Sequence, residues 1–210
     1  MTRQQLEPTV HVYVMNTPFF TEGGIYPPAR QREIESCKNE EVRRAKFYVW
    51  KLLERSLAQS FCLKMESMDF ELTPNGKWVS PQCHFSLTHS GSMVAVALSE
   101  APVGVDAERA DEARFTQKLA QRILTENEKT EYWGADMGAR SAVLGRIWTK
   151  KEALFKCEGE GAFLPDKVDT AGGSFLSKEL LCGGERYFLS VASPHAPHAL
   201  FYLGEGVTIK

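Results

Sequence analysis

Three carboxylates and the lysines beside them are the residues of this chain most suited to chemistry. Asp106 and Glu108 lie two apart in Val103-Gly104-Val105-Asp106-Ala107-Glu108. Glu152 and Lys156 lie four apart in Trp148-Thr149-Lys150-Lys151-Glu152-Ala153-Leu154-Phe155-Lys156. In a strand, Val103, Val105 and Ala107 would face one way and Gly104, Asp106 and Glu108 the other. The strand rise separates the two acids by about 6–7 Å at Cα, close enough to serve one hard cation. Glu152 and Lys156, one helical turn apart, project from the same side of a helix. Mg²⁺ takes few carboxylates and completes its shell with water and substrate phosphates. Lysine and histidine can hold the phosphate charge that remains. Each part also has a plainer reading. Asp106 and Glu108 read equally as exposed acids on an edge strand. Glu152 and Lys156 read as a surface ion pair contributing about 0.2–0.5 kcal/mol. Thr149-x-x-Glu152 fits a capping box.

Two upstream stretches could complete an anion site. Cys83-His84-Phe85-Ser86-Leu87-Thr88-His89-Ser90-Gly91 alternates apolar with small hydroxyl residues and ends on glycine. A strand ending so presents hydroxyls, an imidazole and free backbone amides, which suit an anion. Thr73-Pro74-Asn75-Gly76-Lys77 is a turn by composition and exposes Lys77. Arg43, Arg44, Lys46 and Lys51 make one helical segment basic, which by itself describes a solvated face.

The elements that must position these residues follow from periodicity. Residues 10–14 alternate and read as a first strand. Pro18, Gly23-Gly24 and Pro27-Pro28 then break regularity. Residues 31–63 contain neither Gly nor Pro and carry an apolar stripe at helical spacing, so they read as one helix. Residues 68–72 are a short strand, and 84–98 a hairpin whose second strand is 93–98. Phe115, Leu119, Ala120, Ile123 and Leu124 keep helical spacing. Thr125-x-x-Glu128 is a capping box that starts another helix. A last helix spans 139–156, closed by Gly159-Glu160-Gly161. Strands are expected at 186–192, 199–203 and 207–210. The expectation is an α+β protein of two similar lobes, 1–100 and 101–210, each a helical block on an antiparallel sheet, with the active site in the cleft between them.

At 210 residues, 43% apolar and 25% charged, the chain can bury a substantial core. A net charge of −2 gives no case for nucleic-acid binding. Five scattered cysteines without a C-x-x-C pair speak against a disulfide framework and for a reducing compartment. Residues 1–10 lack an apolar core of signal-peptide length, and no apolar run approaches a membrane span. A cytoplasmic protein with no membrane partner is expected.

Gly104-x-Asp106-x-Glu108, followed forty residues on by Trp148-x-x-Lys151-Glu152-x-x-x-Lys156, resembles the signature of the 4′-phosphopantetheinyl transferases. The chain is most similar to their longer, two-lobed type, which activates peptide and polyketide synthetases. Phe85-Ser86-Leu87-Thr88-His89-Ser90-Gly91 resembles the family's hairpin motif, and Gly76-Lys77-Trp78 its Gly-Lys-Pro turn with tryptophan for proline. Arg122-Ile123-Leu124-Thr125 resembles a segment that often reads Arg-Phe-Phe-Ser, and Gly159-x-Gly161 with Leu164-Pro165 matches the stretch after the last helix.

The resemblance implies transfer of the phosphopantetheine arm of coenzyme A to a serine of an apo acyl or peptidyl carrier protein. Asp106, Glu108 and Glu152 would hold Mg²⁺. Glu152 would be the general base, and Lys156 would neutralise the leaving phosphate. Thr88 and His89 would bind phosphate oxygens, Lys77 and Lys46 the nucleotide end, and Lys151 would add a phosphate contact. The family's arginine for the adenosine 3′-phosphate falls on Lys46, with Arg43 or Arg44 as alternatives. The segment 115–124, with Lys118 and Arg122, would dock the carrier protein, and two similar halves imply a working monomer. The rivals are a Mg²⁺-dependent phosphohydrolase of coenzyme A or nucleotides, and a carrier-binding homologue without activity.

Overall fold

The computed structural model describes residues 8–18, 26–159 and 161–210. Most of the N-terminal stretch, the Gly23-Gly24 break and Glu160 lie outside the described residues. Strand β1 (Thr9–Asn16) runs through the middle of a first sheet, and β2 (Glu71–Leu72) and β3 (Trp78–Val79) pair with each other apart from it. Strand β1 pairs antiparallel with β5 (Met93–Ser99), which pairs antiparallel with β4 (His84–Ser90), and parallel with β9 (His198–Leu203), giving the order β4-β5-β1-β9. The second sheet is antiparallel throughout: β10 (Val207–Ile209), β7 (Phe175–Cys182), β8 (Glu185–Ala192) and β6 (Gly104–Arg109), in that order.

Alternation along the strands builds a core between the sheets. Val10, Val12 and Val14 of β1 and Met93, Ala95 and Ala97 of β5 meet Val105 and Ala107 of β6 and Leu189 and Val191 of β8 in one buried cluster. The other face of the first sheet, with Tyr13, Val94, Val96 and Leu98, is covered by α2 (Glu40–Phe61) through Val49, Trp50, Leu52, Leu53 and Leu57. The other face of the second sheet carries α5 (Arg140–Glu158), whose Ala153 and Cys157 pack on Ala192. Helices α3 (Gln117–Ile123) and α4 (Glu126–Gly134) close on the first half of α5 through Phe115, Ile123, Tyr132, Leu144 and Ile147. The result is two similar α+β lobes, each a helical block on a sheet, in a pseudo-twofold arrangement.

The structure departs from the sequence expectation in three places. The single helix expected over 31–63 is two, α1 (Pro28–Glu35) and α2. No Gly or Pro marks the break. Asn39 makes it, by accepting the Val42 N–H at 3.1 Å and so satisfying a donor that the helix start leaves free. Strand β7 was not anticipated; its residues alternate poorly, and most are only half buried. Strand β9, from the second half of the chain, completes the first sheet beside β1, so the sheets do not divide at residue 100. Among the described residues no helix is long and apolar enough to cross a membrane.

Candidate functional site

The site lies where β6 and α5 touch, and Gly104 permits the contact. A Cβ on Gly104 would overlap the Ala153 carbonyl oxygen and come 2.5 Å from the Cys157 nitrogen. Without a side chain there, the α5 backbone lies directly on the strand. The face of β6 that carries Gly104 also carries Asp106 and Glu108, so both acids point at α5. Trp148, Glu152 and Lys156, at successive i,i+4 positions, form the stripe of α5 that meets them.

Lys156 donates to Asp106 Oδ1 at 2.7 Å and lies 3.7 Å from Glu152 Oε2. Burial works against its charge, but Asp106 and Glu152 outweigh it and raise the ammonium pKa. Glu152 is pushed up to about 7, chiefly by burial and then by the Asp106 charge, with Lys156 opposing. Burial and Asp106 also raise Glu108, against the pull of Arg114. Glu108 is held on several sides. Arg114 donates to both carboxylate oxygens, the Nη2–Oε1 bond being 2.5 Å. Ser90 Oγ donates at 3.1 Å and Trp148 Nε1 at 3.3 Å.

The alternating hydroxyls of β4 have a structural task that the sequence did not reveal. Ser86, Thr88 and Ser90 accept the N–H groups of Val105, Ala107 and Arg109 at 3.0, 3.2 and 3.0 Å. Side-chain oxygens thus satisfy an edge of β6 that no backbone strand pairs, and they join the two sheets. Thr88, expected to hold phosphate, is buried and instead donates to Asp106 Oδ1 at 3.0 Å. His89, one residue on, points the other way, into a cleft.

That cleft has a volume of about 460 Å³. One wall is apolar, with Trp78, Phe85, Leu87, Phe155 and Phe163. Its polar lining includes His89, Lys77, Lys46, Glu152 and Lys156. The His89 pKa is lowered by burial and then by the Lys156, Arg30 and Lys46 charges. Lys77 reaches across from the 73–77 turn and donates to the Lys156 carbonyl at 2.5 Å, and Asn75 donates to the Gly159 carbonyl at 3.3 Å. The turn therefore caps the C-terminal end of α5, where carbonyls lack helical partners. Burial lowers the Lys77 pKa.

Several readings of the sequence do not hold in the structure. Lys151 does not reach the cleft. It is fully buried on another face of α5, paired with Glu128 at 2.6 Å and donating to the Pro165 carbonyl at 2.9 Å and to the Val168 carbonyl. A helix turns about 100° per residue, so the neighbour of Glu152 cannot share its direction. Thr149 does not cap a helix either; it lies within α5 and hydrogen-bonds to the Arg146 carbonyl and Ser190. Arg43 and Arg44 do not line the cleft, and Arg43 pairs with Glu40. Arg30 and Glu33 do line it and were missed in sequence. An i,i+3 pair near a helix start was the only available sign, and it is common on helix surfaces.

The fit of these residues to Mg²⁺ differs among them. Asp106 Oδ2 is buried, with no hydrogen-bond partner among the described residues. Glu152 is raised chiefly by burial and then by the Asp106 charge, which Lys156 offsets only in part. A divalent cation suits both conditions. Glu108 is turned onto Arg114. Among the described residues no three carboxylate, imidazole or thiol side chains are gathered as a metal would require.

Residues 102–201 match the model of the 4′-phosphopantetheinyl transferase superfamily. The 4′-phosphopantetheinyl transferase psf-1 of Bacillus pumilus is 32% identical over 113 residues, 52% of this chain and 48% of that protein. The transferase gsp of Aneurinibacillus migulanus is 30% identical over 115 residues, 54% of this chain and 48% of that one. AcpT of Salmonella typhi is 33% identical over 111 residues, 52% and 57% of the two chains. The chain spans about half the length of these curated relatives.

Proposed function

We propose that the chain, whose residues 102–201 match the model of the 4′-phosphopantetheinyl transferase superfamily, transfers the phosphopantetheine arm of coenzyme A to a serine of an apo carrier protein, releasing adenosine 3′,5′-bisphosphate. The observation that carries this reading is the buried Asp106 Oδ2, without a hydrogen-bond partner among the described residues, beside Glu152 and Lys156 at a cleft that also presents Arg30, Lys46 and Lys77. That arrangement suits a divalent cation and a polyphosphate together.

Asp106 and Glu152 would hold Mg²⁺, joined by Glu108 once it turns from Arg114. Bound there, the ion would polarise the pyrophosphate and offset its charge. Glu152 accepts the proton of the attacking serine hydroxyl. Lys156, kept cationic by Asp106 and Glu152, offsets charge on the departing phosphate. His89 and Lys77 contact phosphate oxygens, and Lys46 with Arg30 binds the nucleotide end. Thr88 positions Asp106 rather than touching substrate. The apolar wall of Phe85, Leu87, Phe155 and Phe163 receives the pantetheine arm. The two-lobed fold favours the longer type of transferase and a working monomer, and the free cysteines favour a reducing, cytoplasmic setting.

Intact-mass spectrometry of an apo carrier protein incubated with the protein, coenzyme A and Mg²⁺ tests this reading. A gain of one phosphopantetheine arm, abolished by EDTA, is expected. Hydrolysis of coenzyme A without modification of the carrier would favour a phosphohydrolase. Coenzyme A binding without turnover across several carriers would favour an inactive binder.

A further inference from the structure

On the lining of the same cleft, two cations are already bridged by a carboxylate of the chain itself. Glu33 Oε2 accepts from Arg30 Nη1 at 2.7 Å, and Glu33 Oε1 lies 2.8 Å from Lys46 Nζ. All three residues line the cleft. Arg30 is fixed in place: it is 5% exposed, its Nη2 donates to the Lys46 carbonyl at 2.6 Å, and its guanidinium lies 5.2 Å from the Trp50 ring centre. Its Nε is buried, with no partner among the described residues. Glu33, by contrast, is just over one-third exposed and can rotate away. Two oxygens of one group, each taking one cation, is also the way a phosphate would engage this pincer. His89 feels the charges of Lys156, Arg30 and Lys46, and all four line the same cleft. A ligand bearing two separated anionic groups would engage both the pincer and Lys156.

We propose that Glu33 is a built-in stand-in for the terminal phosphate monoester of the donor substrate. It holds the Arg30–Lys46 pincer in binding geometry and competes for it, and so sets how strongly the protein discriminates donors with that phosphate from donors without it. This inference rests on the transferase reading above and deepens it. With Glu33 ionised the trio carries one net positive charge. A dianionic phosphate must displace a carboxylate to gain two cations, so most of its electrostatic advantage is cancelled. Burial would raise the Glu33 pKa, but its bonds to Lys46 and Arg30 lower it, so the carboxylate remains charged and the competition persists at neutral pH.

Calorimetric titration of the full chain with coenzyme A and with dephospho-coenzyme A, in EDTA, tests the proposal on wild type, Glu33→Gln and Lys46→Ala. Wild type is expected to prefer coenzyme A only a few-fold. Glu33→Gln should tighten coenzyme A by about tenfold or more, from the Coulomb gain of removing one charge at contact distance, and leave dephospho-coenzyme A unmoved. Lys46→Ala should erase the preference. If Glu33→Gln leaves the ratio of the two affinities unchanged, or weakens both ligands together, Glu33 merely positions its neighbours and the proposal is overturned. Thermal melting of each variant separates such weakening from misfolding. Failure of wild type to bind either ligand would overturn the transferase reading, and this inference with it. Binding with an unmoved ratio overturns this inference alone.

Discussion

Lys156 Nζ donates to one oxygen of Asp106 at 2.7 Å, while the other oxygen of Asp106 is buried with no partner among the described residues. The lysine thus half-satisfies the carboxylate. It can remain in place when a cation arrives, since it uses Oδ1 and leaves Oδ2. Lys156→Met should therefore lower the transfer rate by about 10²-fold or more, the range for loss of a proton-transfer or charge-neutralising group. Mn²⁺ affinity, read by electron paramagnetic resonance, should not fall. A parallel loss of Mn²⁺ binding would show that Lys156 only holds the carboxylates in position.

The raised pKa of Glu152 sets a pH dependence with a definite sign. An unperturbed glutamate titrates near 4.3, whereas Glu152 in the folded protein titrates at about 7. The folded state therefore binds this proton more tightly than the unfolded state. Stability falls as pH rises through this window, and the loss is complete above about 7. Glu108, also raised, adds to the slope, and Glu33, lowered, opposes it at the acid end. Denaturant midpoints for wild type should fall between pH 5 and pH 8, and Glu152→Gln should flatten that fall. A cation bound at Glu152 must expel the same proton, so Mn²⁺ affinity should climb with pH and level off above about 7. A pH-independent affinity would remove Glu152 from the cation site.

Much of this site was legible in the sequence because strand and helix periods are rigid. The two-residue spacing of Gly104, Asp106 and Glu108 and the four-residue spacing of Glu152 and Lys156 fixed which face each side chain would share. The capping box at Thr125 was equally readable, and Glu128 accepts the Thr125 N–H at 3.0 Å. Contacts between elements distant in the chain were not readable. Nothing local distinguishes a hydroxyl that binds an anion from one that satisfies a neighbouring strand, so the part of Ser86, Thr88 and Ser90 in joining the two sheets is not visible in the sequence. Lys151 was grouped with Glu152 because they are adjacent, although adjacency in a helix separates side chains. The break after α1 was hidden because Asn39, an ordinary polar residue in sequence, makes it by capping alone.

Gly104 is the position where a single methyl should do most harm. Its Cβ would collide with backbone atoms of α5, at the Ala153 carbonyl and the Cys157 nitrogen, and backbone cannot rotate aside as a side chain does. Gly104→Ala should therefore force α5 away from β6 and destabilise the protein by about 1–3 kcal/mol, the usual range for overpacking. Because Trp148, Glu152 and Lys156 ride on α5, activity should fall further than the folded fraction does. Urea denaturation combined with activity per folded molecule measures both. Unchanged activity per folded molecule would mean that the β6–α5 spacing does not set the site.

Lys151 and Glu128 form a buried ion pair that anchors the segment after α5. The ammonium reaches the carbonyls of Pro165 and Val168, and Glu128 Oε1 accepts the Thr170 N–H and hydroxyl at 3.1 and 2.9 Å. The same segment carries Phe163, whose ring lies 5.0 Å from Phe155 and 5.7 Å from Trp148 at the cleft wall. Removing one partner leaves a buried charge uncompensated, so Lys151→Met should cost roughly 3–5 kcal/mol. Adding Glu128→Gln should restore part of that loss, since the stranded carboxylate becomes neutral and still accepts from Thr170. In the double variant, the KM for coenzyme A should rise more than kcat falls, because the cleft wall loosens while Asp106, Glu152 and Lys156 stay in place. A large kcat defect with unchanged KM would instead put the Lys151 ammonium at the reacting phosphates.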